Sequence, residues 1–141
     1  GIVEAWRYDG RDSYRMAATR LADGILSAVR EDGFLPGRLR PDWTGAVDWT
    51  CNTGSVQIAH SLFLLAEGGG QDHYVEAGRS LNAWVRRTVR LDGPADVVGG
   101  VKGSHPIDNE YGRFQYLNWA AKFMIDSCQA ELDLAEGRTL A

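Results

Sequence analysis

The stretch Gly54-Ser55-Val56-Gln57-Ile58-Ala59-His60-Ser61-Leu62-Phe63-Leu64-Leu65-Ala66 decides the fold. Wound as an α-helix, it places Val56, Ile58, Ala59, Leu62, Phe63, Leu64 and Leu65 nearly all round the axis. A helix that is apolar on most sides has to be covered on most sides. The sequence around it must therefore supply other helices, and it does.

Upstream, a helix is expected from about Ser13 to Val29. Tyr14, Ala17, Ala18, Leu21, Ile25 and Ala28 recur at three- and four-residue steps and form one apolar stripe. Asp12 or Ser13 can cap its start, and Asp32-Gly33 offers a left-handed stop. Downstream, a helix is expected from about Asp72 to Val89, with Asp72 as its cap. Tyr74, Ala77, Leu81, Trp84, Val85 and Thr88 share one face, while Glu76, Arg79, Arg86 and Arg87 point elsewhere. A last helix is expected from Asn118, a good cap, to about Leu134, with Ala120, Phe123, Met124, Ser127 and Cys128 on one side. The best strand candidate is the short, glycine-bounded Ala95–Val101. The fold class that follows is all-α, built from antiparallel α/α hairpins with about four main helices, in a single domain over residues 1–141.

The connections carry the functional information. Gly68-Gly69-Gly70 makes a tight turn between the second and third expected helices. By contrast, Glu31–Thr53 and Leu91–Leu117 are long, and loops of that length in a compact domain are functional or disordered. Their tryptophans, tyrosines and glycines argue for order. Val29-Arg30-Glu31-Asp32-Gly33 also recurs 60 residues later as Val89-Arg90-Leu91-Asp92-Gly93. Each copy leads into a long loop and then a helix. If successive helices run antiparallel, both long loops emerge at one pole, with Trp49 and His105 together.

Composition narrows the function. The hydrophobic fraction of 44% and charged fraction of 24% are those of a water-soluble globular chain. A net charge of -4 argues against a nucleic-acid partner, because phosphate neutralisation needs a basic face. The local cluster Arg86, Arg87 and Arg90 reads as a solvated helix face. No apolar run approaches the roughly 18 residues of a membrane span, so no membrane partner is expected. Two cysteines, Cys51 and Cys128, make no disulfide framework. The start, Gly1-Ile2-Val3-Glu4, has no basic-then-apolar signal pattern. It is compatible with a tag remnant at Gly1 and with an excised piece of a longer chain, and it assigns no compartment.

Three motifs carry a family resemblance: Trp49-Thr50-Cys51-Asn52-Thr53-Gly54-Ser55-Val56-Gln57, Gly99-Gly100-Val101-Lys102-Gly103-Ser104-His105-Pro106, and Asn118-Trp119-Ala120-Ala121-Lys122-Phe123. Over roughly residues 13–134 the chain resembles part of an α/α toroid, the architecture of six-hairpin glycosidases and terpene-cyclase-like proteins. It is most similar to bacterial toroid proteins found with exopolysaccharide genes. The resemblance implies a polysaccharide context. A full toroid has about twelve helices and this chain offers four, so it implies either a piece of a larger ring or a ring completed by further copies. The aspartate cluster of squalene-type cyclases is absent, which puts terpene chemistry in doubt.

The two loops hold the candidate chemistry. Glycoside hydrolysis needs two carboxyl groups across the scissile bond, which Asp48 with Asp108 or Glu110 can supply. Trp43, Trp49 and Tyr116 are candidate sugar platforms, with Asn52, Gln57, Asn118 and Trp119 beside them for hydroxyl contacts and stacking. A lyase or epimerase acting on a uronic sugar would use Tyr111 or His105 as base and Arg113 or Asn118 to hold the sugar acid. Each of these residues has a plain alternative: a solvated or capping acid, a loop histidine, a tryptophan packing its loop onto the core. Cys51 reads as a nucleophile or as a buried cysteine at a helix entrance. Thr53 is a candidate cap. Cys51, His60, His73 and His105 are the possible zinc ligands, but none forms a close pair of ligand spacing, so neither metal nor cofactor is expected. His60 reads as a hydrogen-bonded core residue. Gly99-Gly100 and Gly103 lack the lysine-serine pair of a phosphate loop and read as turn glycines. The expected function is processing or binding of an oligo- or polysaccharide. The alternatives are a non-catalytic glycan- or protein-binding module and a structural part of a toroid completed by a homo-oligomer or by further hairpins.

Overall fold

The computed structural model describes residues 1–67 and 71–140. The expected Gly68-Gly69-Gly70 turn lies outside the described residues. Among those described, the chain forms helices α1 (Ile2–Asp9), α2 (Asp12–Leu26), α3 (Asn52–Glu67), α4 (Asp72–Thr88) and α5 (Asn118–Ala135), with two-residue strands β1 (Thr50–Cys51) and β2 (Ser104–His105). The fold is all-α, as the helical patterning required.

Helix α3 is the centre. It packs against α4 and against α5, with the α1–α2 hairpin on a further side. Val56, Ala59, Leu62, Phe63, Leu64 and Leu65 are all buried. One strip of α3 stays open, carrying exposed Gln57 and half-buried His60 and Ser61. The buried face of α4 comprises Tyr74, Leu81, Val85 and Thr88, as its stripe predicts, and also Gly78 and Asn82. Gly78 lets α4 close on Phe63: a Cβ there would lie 2.5 Å from the ring. Two apolar clusters result. One gathers Leu62, Phe63, Leu81 and the α1–α2 residues Val3, Ala18 and Ala22. The other sits near the loops and gathers Val56, Val85, Val101, Leu117 and Ala120.

Polar side chains join the helices across this core. Asn82 on α4 donates to the Ser127 carbonyl and to the Glu131 carboxylate on α5, and Ser127 Oγ donates back to Asn82 Oδ1 at 2.7 Å. Arg86 completes the set with an ion pair to Glu131 at 2.8 Å. Tyr74 Oη donates to Asp23 at 2.6 Å, tying α4 to α2. Burial and the Asp23 carboxylate push the Tyr74 hydroxyl up to about 12.

Strand pairing fixes the polarity. Strands β1 and β2 run antiparallel with Thr50 opposite His105 and Cys51 opposite Ser104. Strand β1 leads straight into α3, and β2 lies between the end of α4 and the start of α5. The start of α3, the end of α4 and the start of α5 therefore share one pole, and Trp49 and His105 lie there together. At the opposite pole, Glu67 at the end of α3 accepts the Leu140 amide at 2.6 Å and pairs with Arg7 of α1 at 3.6 Å.

Several local expectations are corrected. Helix α1 was not anticipated, and it brings the helix count among the described residues to five. The first expected helix stops at Leu26 rather than Val29. Ala95–Val101 is not a strand: the Pro94 carbonyl accepts the amides of Val97 and Val98, and Gly99 turns the chain at a φ of 77°. Asp12, Asp72 and Asn118 open their helices without forming side-chain caps. The two aspartates instead put negative charge in the first turn, where the helix dipole favours it. The cap of α3 is Cys51 rather than Thr53: its Sγ accepts the Gly54 amide at 3.3 Å. The repeated pentapeptide has a common backbone feature, since Gly33 and Gly93 both sit in the left-handed region, at φ of 84° and 111°.

Candidate functional site

The two long loops meet over the β1–β2 seam and form an open groove. Gly45, Ala46, Val47, Asp48 and Trp49 line it from the first loop, Asn109 and Glu110 from the second. Two of the three expected carboxylates, Asp48 and Glu110, thus share one groove. Asp108 is exposed and lies outside its lining. Glu110 pairs with Arg38 at 2.5 Å, which bridges the loops directly. Arg38 also stands 5.8 Å from the centre of the Trp49 ring.

The first loop is shaped by its own hydrogen bonds. Asp42 accepts the Thr44 amide at 3.0 Å and the Thr44 hydroxyl at 2.7 Å, an Asx-type turn. Those bonds hold its carboxyl below the ordinary aspartate value. Trp43 follows in the left-handed region, at a φ of 67°. Its ring lies flat on α2, where a Cβ at Gly24 would come within 2.2 Å of it.

Two expected sugar contacts, Trp49 and Asn52, are corrected by burial. Trp49 is only 6% exposed, with its ring against Gly37, so no ring face is free for a sugar. Asn52 is fully buried. Its amide donates to Thr88 Oγ1 at 3.0 Å and to the Lys102 carbonyl at 3.1 Å, clamping the start of α3 to α4 and to the second loop. Gln57 is exposed on the open strip of α3, and its side chain makes no hydrogen bond among the described residues, so it does not reach back to the loop. Trp43 keeps one ring face covered by α2, and the half-buried Tyr116 ring rests on Gly100.

The accessible aromatic surface comes from the second loop and the first turn of α5. Trp119 is 49% exposed, and its indole N–H donates to Tyr111 Oη at 3.1 Å. That bond fixes one ring against the other at the surface. Phe114, with a φ of 56°, is exposed beside them in sequence, and Arg113 stands 5.4 Å from its ring centre. Asn118 uses its side-chain oxygen on the Trp119 amide at 2.8 Å, steadying the residue that carries the indole. Sequence reasoning missed Arg38 and Phe114. The Arg38-Leu39-Arg40 run marked a cationic element in the first loop, whereas Phe114 carried no signal.

The titratable groups of the seam are half-buried. Burial lowers the affinity of His105 for a proton, and Lys102 lowers it further. Burial pushes the Cys51 thiol up. Together with its capping bond, this fits the reading of Cys51 as a structural thiol at the helix entrance. His60 lies in a surface groove with Lys122, Asp126 and Gln129 rather than in the core. His73 lies tilted against Tyr74, with ring centres 4.2 Å apart and the planes at 48°. Among the described residues, no three histidine, cysteine, aspartate or glutamate side chains gather into a metal-ligand set, and no helix is long and apolar enough to cross a membrane.

Set against models of known protein families, against curated proteins and against solved structures, the chain finds no match.

Proposed function

We propose that the long-loop pole binds an oligo- or polysaccharide without cleaving it. The observation that carries this reading is the Tyr111–Trp119 pair: two aromatic rings held at the surface by their own hydrogen bond, next in sequence to Glu110 of the groove. Pyranose rings present an apolar C–H face to an aromatic ring and hydroxyls to carboxylates and amides. Glu110, Asp48 and Asn109 offer the second kind of contact. A pre-fixed platform also saves the cost of ordering its side chains on binding. The likeness of the three loop motifs to toroid proteins of exopolysaccharide loci lends the same context. Calorimetric titration with a panel of neutral and acidic oligosaccharides tests the reading. Binding to at least one member is expected, and Trp119→Ala should weaken it about tenfold, or ~1.4 kcal/mol. A panel with no binder, or a Trp119→Ala chain that binds as well as the parent, removes the proposal.

One observation favours a catalytic second reading: Asp48 and Glu110 line the same groove from opposite loops. A glycosidase uses such a pair as acid and base or nucleophile. Against it stands exposure. A general acid is ordinarily enclosed by apolar groups, whereas both carboxylates here are exposed. If cleavage occurs, Asp48→Asn and Glu110→Gln each abolish product formation and leave the melting temperature unchanged. Product formed at the parent rate by both variants eliminates the hydrolase reading.

A further inference from the structure

Four buried side-chain atoms have no hydrogen-bond partner among the described residues: Asn52 Oδ1, Thr53 Oγ1, Trp84 Nε1 and His105 Nδ1. Asn52 and Thr53 open α3, Trp84 lies in the last two turns of α4, and His105 belongs to β2. Thr50 pairs with His105, and Asn52 is bonded to Thr88, one turn beyond Trp84. The Trp84 and His105 ring centres are 6.3 Å apart, with the planes at 75°. Asn52 and Thr53 are 0% and 4% exposed, so bulk water does not serve them.

A buried donor or acceptor left unpaired keeps its whole desolvation penalty. Native interiors tolerate few such groups and commonly satisfy them with an internal water. The chemistry of this set is complementary. Trp84 Nε1–H can only donate, Asn52 Oδ1 can only accept, the Thr53 hydroxyl does either, and a neutral imidazole nitrogen without hydrogen accepts. A single water has two hydrogens and two lone pairs to match them.

We infer that a buried water occupies this junction, accepting a hydrogen bond from Trp84 Nε1–H and donating one to His105 Nδ1. Thr53 and Asn52 offer its remaining partners. His105 is then the tautomer with hydrogen on Nε2. Its half-buried position beside Lys102, which disfavours the charged ring, fits that role. The water ties α4 to β2 and so to both long loops. This site is independent of whether the outer groove binds a glycan.

Water-selective NOESY and ROESY spectra on the ¹⁵N-labelled full chain provide the test, with the five tryptophan indoles assigned by triple resonance. The Trp84 indole proton is expected to show a water cross-peak of slowly tumbling, dipolar sign in both experiments. The peak is expected to persist in folded Thr53→Val, which lacks the junction's unpaired hydroxyl. Long-range ¹H–¹⁵N spectra are expected to show His105 Nδ1 as the nitrogen without hydrogen. An indole proton with no water peak overturns the bridge. So does a peak that vanishes in Thr53→Val, because it then arises from relay through that hydroxyl. A protonated His105 Nδ1 at neutral pH overturns it as well.

Discussion

Asn52 shows how a residue can matter for a reason other than the one its type suggests. An amide in a tryptophan-rich loop invites a sugar hydroxyl, yet here it is buried and bonds to Thr88 and Lys102. Asn52→Ala removes both bonds and leaves Thr88 and a carbonyl underserved. It should cost about 2–4 kcal/mol in urea unfolding. A loss under about 0.5 kcal/mol would mean that the clamp is idle. His105 sets a pH dependence of opposite sign to that of a histidine held charged by a carboxylate. Its folded form binds a proton less readily than the unfolded chain, whose histidines titrate near about 6.5. The unfolded state therefore takes up protons first as pH falls, and stability present above that value is lost below it. His60 is shifted in the same direction by burial. Melting temperatures should decline from pH 7.5 to 5.5, and His105→Gln should flatten part of that slope. An unchanged slope would remove His105 from the account.

At the scale of elements, legibility followed locality. Helices α3 and α4 were readable because burial imposes a period, and the residues expected on the buried face of α4 are mostly the ones found there. Phe63→Ala, at the centre of that packing, should cost about 3–5 kcal/mol by chemical denaturation. A change below about 1 kcal/mol would contradict its placement between α3 and α4. Helix α1 went unseen because eight residues hold too few repeats to establish a period. The two-residue strands went unseen for another reason: their only signal is each other, across more than fifty residues of sequence. The site was legible in part for the same reason. Asp48, Glu110, Tyr111 and Trp119 could be nominated by residue type and loop position. The Arg38–Glu110 pair and the burial of Trp49 depend on contacts between distant segments, which residue type does not encode.

Across the whole molecule, α3 is covered by α4, α5 and the α1–α2 hairpin, yet apolar surface remains. Leu21 is 46% exposed at the edge of a groove lined also by Ile2, Ile25 and Ile58, and Ile125 on α5 is 68% exposed. If further copies cover these flanks, light scattering should give a mass above that of one chain, rising with concentration. A single-chain mass across a hundredfold concentration range would end that reading. The two-strand seam has a separate consequence for variation among related chains. Between its anchor points the intervening segments, such as Leu91–Gly99, contribute little to the frame, while Thr50, Cys51, Ser104 and His105 register it. Insertions should accumulate in the former and be refused at the latter, so the pole could exchange one ligand for another while the scaffold stays as it is.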